Sequence, residues 1–428
     1  MEVRVETGIR TMDEYSYENK TVILRIDINS PLDPETKKIA SENRINKSIP
    51  TLKYLLDNKA KVAIIAHQGD TLDYHNLMPM KEHAEKLTGK LGIEVKYIDD
   101  VCGPAAQEAI KRLKAGEAVL LGNLRYLSEE ISTFEDVVKL RPEEMLDTYL
   151  IRSLAPLADY YVNDAFAAAH RNAPSMVAFQ EVLPSAGGEL MMKEITALTK
   201  VMSKPEHPSV FVLGGLKISD AFGMMKQVLE NGTADKILAC GITGSIFLIA
   251  AGYEIGGKTE KFIKDRSLDV FIPAAKEYLV NYSQKIVYPA DLAYEKDGQR
   301  CEVSIEQLPV DELFLDIGKK TVEIFRKELK KAGTVFVNGP AGVYENKLFE
   351  YGTKEIWNAI ADAEGYSVIG GGDTVSAAGR FIDTKKINYV CTAGGAMVRF
   401  LSGKKLPLIE AMKKAYNKVN KEIGRGRL

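Results

Sequence analysis

The chain has 428 residues, more than one ordinary core accommodates, and two domains of about 200 residues each are the natural arrangement. Its 57 Lys and Arg against 59 Asp and Glu leave a net charge of −2, so no global field draws it to nucleic acid or an anionic membrane. The longest apolar run, around 246–251, is too short for a bilayer, and the charged start MEVRVETGIRTMDEYSYENK lacks a signal-peptide core. Cys102, Cys240, Cys301 and Cys391 are scattered, with no CxxC pair and no metal spacing, which favours free thiols over disulfides. A cytoplasmic α/β protein is expected, with no nucleic-acid or membrane partner; monomer and homodimer fit equally.

Short β-branched runs alternate with helical stretches from end to end, the pattern of βαβ units on parallel sheets. First-half strands are predicted at Thr21–Ile26, Val62–Ala66, Ala118–Leu121 and Tyr160–Val162. Second-half strands are predicted at Val210–Leu213, Lys236–Ala239, Thr334–Val337, Ser367–Ile369 and Asn388–Cys391. Between the halves, Leu190, Ile195, Leu198 and Val201 predict one helix over Gly187–Val201, and Pro205–Pro208 then restarts the chain as a second sheet. Leu408–Val419 also spaces its apolar residues helically. The domains are therefore expected at 1–186 and 203–403, with a linker helix at 187–202 and a tail at 404–428.

In open parallel sheets, ligands bind beyond the carboxyl ends of the strands. First-half strands end in cations and polar groups: Arg25-Ile26-Asp27-Ile28-Asn29, His67-Gln68-Gly69, Asn123-Leu124-Arg125, and Asn163-Asp164 leading to His170-Arg171. Arg44 opens the helix after the first strand. A guanidinium fork suits carboxylate and phosphate oxygens, so several on one face would hold a small, multiply charged anion. Taken singly, each is equally well a surface arginine or a satisfied structural histidine.

Second-half strands end in glycine: Gly214-Gly215, Gly241, Gly339, Gly370–Gly372 and Gly394-Gly395. Backbone amides then do the binding, as suits a nucleotide lying across several strand ends. Lys217 is placed to reach a phosphate, and Asn338 with Glu345 to hold ribose hydroxyls, although a solvated lysine and a turn with a surface glutamate fit the same spacing. The stretch YSVIGGGDTVSAA at Tyr366–Ala378 reads as strand, glycine turn and helix N-terminus, an anion site. A carboxylate there is out of place unless a cation intervenes, so Asp373 suggests Mg²⁺ bridging to a polyphosphate. An ordinary βα turn, with Asp373 and Thr374 capping the helix, is the plain alternative. No G-x-x-x-x-G-K-[ST] occurs, and Val375 stands where a dinucleotide fingerprint wants glycine.

Laid out in order, these segments resemble the phosphoglycerate kinase family, and its archaeal branch in particular, over nearly the whole chain. RIDINSPLD at Arg25–Asp33, ENRINKSIPTL around Arg44, AHQG at Ala66–Gly69, GNLRY at Gly122–Tyr126 and YVNDAFAAAHR at Tyr161–Arg171 look like its substrate half. GGLKISD at Gly214–Asp220, VNGPAGVYE at Val337–Glu345, IGGGDT at Ile369–Thr374 and TAGGA at Thr392–Ala396 look like its nucleotide half. The resemblance implies two Rossmann-like domains facing across a cleft, a hinge at the linker helix, and a tail returning to the N-terminal domain. It implies that Asp27, Asn29, Arg44, His67, Gln68, Gly69, Asp70, Arg125, His170 and Arg171 hold 3-phosphoglycerate. It further implies that Gly214, Lys217, Asn338, Glu345, Gly371, Gly372, Asp373 and Thr374 hold ATP or ADP, with Asp373 on Mg²⁺. Arg44, Lys217, Gly372 and Gly395 would then serve the transfer to the acceptor carboxylate, giving 1,3-bisphosphoglycerate. A carboxylic acid is already ionised at pH 7, so the lack of an obvious general base is expected. Asp70 stands where the family usually has Arg, and Ala221 where it often has Lys. A non-catalytic two-domain binding protein and a nucleotide-sugar transferase share the architecture. The first is usually exported, and the second has no use for an arginine-rich pocket opposite a Mg²⁺-binding aspartate.

Overall fold

The apolar runs of the first half form six parallel strands: β1 (Thr21–Arg25), β2 (Lys61–Ile65), β3 (Val95–Tyr97), β4 (Ala118–Leu120), β5 (Tyr160–Asn163) and β6 (Ser185–Gly187). Helices cover both faces of the central strands, which is why β1, β2 and β4 read as continuous apolar runs rather than alternating. The helix Asn43–Asp57, for example, packs Ile45, Leu52 and Leu55 into one apolar cluster with Val22, Leu24, Val62 and Ile64. The computed structural model describes residues 6–69 and 77–424. It divides into two units, Met1–Thr196 with Lys405–Leu428, and Ala197–Lys404.

The first sheet runs β3-β4-β2-β1-β5-β6. Strand order reverses about β1, whose last residue, Arg25, pairs with both Ile65 and Asn163. The loops leaving β1, β2 and β5 therefore emerge side by side. The C-terminal helix Pro407–Gly424 belongs to this unit, burying Leu408, Ile409 and Met412. Lys414 pairs with Glu181 at 2.8 Å and also with Glu143.

The linker helix spans Glu189–Ser203, starting two residues later than the sequence suggests because Gly187 still belongs to β6. Its first turn is held by side chains from elsewhere. Thr51 Oγ1 accepts from Glu189 N at 2.8 Å, and Asp164 Oδ1 from Met191 N at 3.0 Å.

The second unit repeats the plan with β7 (Ser209–Leu213), β8 (Lys236–Ala239), β9 (Ile286–Val287), β13 (Thr334–Asn338), β14 (Tyr366–Ile369) and β15 (Tyr389–Val390), in the parallel order β15-β14-β13-β7-β8-β9. Asn338 pairs with Leu213 and Val337 with Ile369, so the glycines after β7, β13 and β14 come out together. Between β9 and β13 lies a three-stranded antiparallel sheet of β10 (Asp291–Lys296), β11 (Gln299–Ser304) and β12 (Phe314–Ile317). This departs from the expected unbroken βαβ alternation. Its hairpin turns on Asp297 and Gly298, both at positive φ, the turn that Asp-Gly favours.

Candidate active site

β1 carries its apolar run straight into a cation. Arg25 is buried; its Nη1 donates to Ile26 O at 2.6 Å and its Nη2 to His67 Nδ1 at 2.8 Å. A guanidinium only donates, so Nδ1 accepts and the imidazole proton sits on Nε2. Burial, then the charges of Arg25, Arg125, Arg171 and Arg44, hold the His67 pKa well below 6.5, which keeps the ring neutral at pH 7. Four arginines acting on one imidazole define a single concentration of positive charge.

Arg125 is buried as well, and burial with the repulsion of Arg171 and Arg25 lowers its pKa to about 10. Its Nη1 donates to Glu130 O at 2.6 Å. The Glu130 carboxylate lies beneath, accepting from Ser175 N at 2.7 Å and Ser175 Oγ at 2.6 Å, and its burial raises its pKa. Arg171 donates from Nε to Glu135 Oε1 at 2.6 Å. Arg44 forms an ion pair with the buried Asp27, which also accepts from Asn29 N at 3.1 Å. Asn29 Oδ1 in turn accepts from Gly69 N at 3.0 Å, tying the loop after β1 to the loop after β2. His170 is half-buried beside Arg171.

In the second unit the strand ends interlock through their backbones. Gly214 N donates to Asn338 O at 2.9 Å and Gly215 N to Pro340 O at 2.8 Å. Gly339, at φ +93°, passes so close that a Cβ would stand 2.2 Å from Gly214 O, which excludes any other residue. Beyond this knot three helices begin, at Ile218, Gly372 and Gly394. Lys217 at the start of the first lies with Nζ 3.8 Å from Asp373 Oδ2 in the first turn of the second, and both side chains are exposed. Glu345 is exposed beside Tyr344. Gly372 and Gly395 have ordinary negative φ and open space where a Cβ would stand. Glycine early in a helix is unfavourable without a reason, and among the described residues no close contact supplies one.

A family model, Phosphoglycerate kinase, matches residues 12–404. The chain belongs to the phosphoglycerate kinase family. It is 41% identical to the phosphoglycerate kinase of Methanothermus fervidus, covering 96% of this chain and 99% of that one. It is 43% identical to that of Methanococcus maripaludis, covering 95% and 99%. The crystal structure of phosphoglycerate kinase from Pyrococcus horikoshii OT3 superposes with a TM-score of 0.83 at 37% identity, covering 96% of this chain and all of that one. The reaction is that of a phosphoglycerate kinase: reversible, Mg²⁺-dependent phosphoryl transfer between ATP and the carboxylate of 3-phosphoglycerate. No helix among the described residues is long and apolar enough to cross a membrane.

Several residues named from the sequence spend side-chain hydrogen bonds within the protein. Gln68 is buried; its side-chain amide exchanges two hydrogen bonds with the Ser30 backbone, at 2.8 and 2.9 Å, and its Oε1 meets His83 Nε2 at 3.0 Å. It braces the loop after β1. Asn338 Nδ2 donates to Gly370 O at 2.8 Å, and Thr374 Oγ1 accepts from Gly339 N at 2.8 Å. Both side chains are buried and tie the loops at these strand ends together. Neither Asp373 nor Thr374 caps its helix, because Gly371 occupies the N-cap position. Asp373 is thereby left exposed. Asp70 lies outside the described residues. The sequence reading missed Glu130 and Glu135, whose carboxylates meet partners 45 and 36 residues away along the chain.

Proposed function

We propose that the two strand-end sets divide the reaction between them. In the first unit Arg25, His67, Arg125 and Arg171, with Asp27, Asn29, Gly69 and His170 in support, hold 3-phosphoglycerate. In the second, Gly214, Lys217, Glu345 and the Gly371–Asp373 turn hold ATP. The observation that carries this reading is the segregation of charge. Three buried or nearly buried guanidinium groups and a neutral imidazole converge in one unit, and glycine-opened helix N-termini with one lysine and one carboxylate converge in the other.

Each residue type suits its task. The acceptor carboxylate is already ionised, so no side chain needs to remove a proton. His67 contributes a neutral Nε2–H donor, which needs no proton exchange to meet an anion. Lys217 and the helix N-termini at Gly372 and Gly394 meet phosphate oxygens, and the Arg44 fork, steered by Asp27, meets the phosphoryl group in transit. Among the described residues no cluster of three His, Cys, Asp or Glu is built to hold a metal alone. One exposed carboxylate, Asp373, suits Mg²⁺ that shares its remaining positions with nucleotide phosphates and water. Asp373 would hold the ion, and the chemistry it would supply there is charge neutralisation of the nucleotide phosphates. Buried thiols outside any disulfide at Cys102 and Cys240 support a reducing compartment, and hence a cytoplasmic location.

Titration calorimetry on paired variants tests the division. Arg171→Ala should weaken 3-phosphoglycerate at least tenfold and leave MgADP within about twofold; Lys217→Ala should do the reverse. A variant that weakened both ligands equally would refute the assignment.

A further inference from the structure

Arg171 does not wait with an open fork. Glu135 Oε1 lies 2.6 Å from its Nε and 2.5 Å from its Nη2, so one carboxylate oxygen occupies a whole edge of the guanidinium. Nη2 is also 3.4 Å from Glu130 O. Both side chains are largely withdrawn from water, at 12% and 13% exposed, so the pair is no solvated surface contact. A phosphate gripped by two parallel N–H bonds uses the same kind of edge. Two anions on one guanidinium edge repel strongly where water is scarce.

The element that carries Glu135 is loosely anchored. The helix Ser132–Val138 buries none of its residues, and its two valines, Val137 and Val138, are 75% and 46% exposed. Its neighbours are held quite differently: Glu130 is fixed through Ser175, and Arg125 through the Glu130 carbonyl. Within this cluster Glu135 is the anion whose departure disturbs least packing.

We propose that Glu135 is an internal stand-in for the substrate's phosphate. It neutralises Arg171 while the site is empty and is displaced from the Nε/Nη2 edge when the phosphate binds. This rests on the assignment of Arg171 to the 3-phosphate. Glu135 is thus a specificity-setting residue that touches no reacting atom: it sets a threshold that an acceptor passes only if it brings an anion able to replace a carboxylate. Its effect is confined to ligands that carry the phosphate, and falls on affinity rather than on turnover.

Calorimetry with three probes tests this on the full-length protein: 3-phosphoglycerate, inorganic phosphate, and D-glycerate, which has the carboxylate without the phosphate. Glu135→Gln keeps an oxygen that accepts from Arg171 but removes the competing charge. It should bind 3-phosphoglycerate and inorganic phosphate at least about threefold more tightly, with D-glycerate unchanged and kcat within about twofold. Glu135→Asp, with the charge restored on a shorter arm, should fall between. Glu135→Ala should melt lower than the parent without ligand and gain more from added phosphate. Unchanged or weaker phosphate binding in Glu135→Gln overturns the proposal, as does equal tightening for D-glycerate. Arg171→Ala separates the two levels of argument. If it leaves 3-phosphoglycerate affinity intact, the assignment of Arg171 fails. If it weakens that affinity while Glu135→Gln changes nothing, only the stand-in role fails.

Discussion

Arg44 differs from the other arginines of its cluster in being 39% exposed, against 12% for Arg171, with one carboxylate, Asp27, to steer it. A group that grips the same atoms in ground and transition states changes KM, and one that meets charge only as it moves changes kcat. Arg44→Ala should therefore lower kcat by roughly a hundredfold or more, the usual scale for one transition-state donor. Arg44→Lys should recover only part, because a point charge does not reproduce the guanidinium fork. Asp27→Asn should act in the same direction and more weakly, since it frees the fork without removing it. Steady-state kinetics on variants with matched thermal melts decide the matter; a change confined to KM would make Arg44 a binding residue. The residue types at these strand ends were readable in the sequence because cations and glycines are conspicuous there. What was not readable is which polar side chains are already bonded within the protein. Gln68, Asn338 and Thr374 sit in the same motifs, yet each is claimed by a backbone group 32 to 38 residues away. Only the packed strands bring those groups into reach.

Helix N-termini carry the next level of the argument. Gly395, second in the helix Gly394–Leu401, is exposed, has open space at its missing Cβ and sits at negative φ. For stability alone, Ala is the better residue there, by about 0.4–1 kcal/mol. Gly395→Ala should thus melt at or above the parent temperature while losing MgADP affinity or turnover by tenfold or more. Higher stability with full activity would show that no ligand approaches that amide. The linker helix is tied at its start by Asp164, a buried carboxyl whose Oδ1 accepts from Met191 N. Burial first, with some repulsion from Glu189, raises its pKa to about 7 against hydrogen bonds from Met191, Thr51 and Leu190. The folded state then holds a proton that the unfolded chain releases near pH 3.8, so this contribution to stability is full at low pH and is lost as pH rises through about 7. His83, lowered by burial to about 4, works in the opposite sense between about 4 and 6.5. Urea titrations of the parent and Asp164→Asn separate the two. The stability advantage of the parent should shrink from pH 5 to pH 8, and a difference independent of pH would show that Asp164 is ionised throughout. Among the elements, nine of the twelve parallel strands were legible from their apolar runs; β3, β6 and β9, of two or three residues each, were too short to show one. The antiparallel sheet is announced by Asp297-Gly298, but the half-exposed, charged strands beside that turn, DLAYEK and QRCEVS, carry no apolar run to mark them.

At the scale of the molecule, sequence order and structural units do not coincide. The first unit takes 1–196 and then 405–428, so its last helix is added after the whole second unit has been made. That helix, Pro407–Gly424, packs beside β6 and the helix Pro174–Val177. Its Leu408 N donates to Ala169 O at 3.2 Å, two residues before Arg171. Leu408, Ile409 and Met412 are buried, and at about 1.5–3 kcal/mol for each large side chain their burial approaches the 5–15 kcal/mol that holds an entire domain. Deleting residues 405–428 should therefore unfold or severely weaken the first unit. Leu408→Ala, costing about 2–5 kcal/mol, should lower its melting temperature by roughly 5–15 °C. The second unit is continuous in sequence over Ala197–Lys404 and closes its own sheet. It should keep its melting transition and bind MgADP within about twofold of the parent in both variants. The measurement is calorimetric melting with and without MgADP, alongside 3-phosphoglycerate binding, which should vanish with the first unit. If the truncated chain lost MgADP affinity as completely as 3-phosphoglycerate affinity, the units would fold as one, and the tail would support the whole molecule rather than its first half.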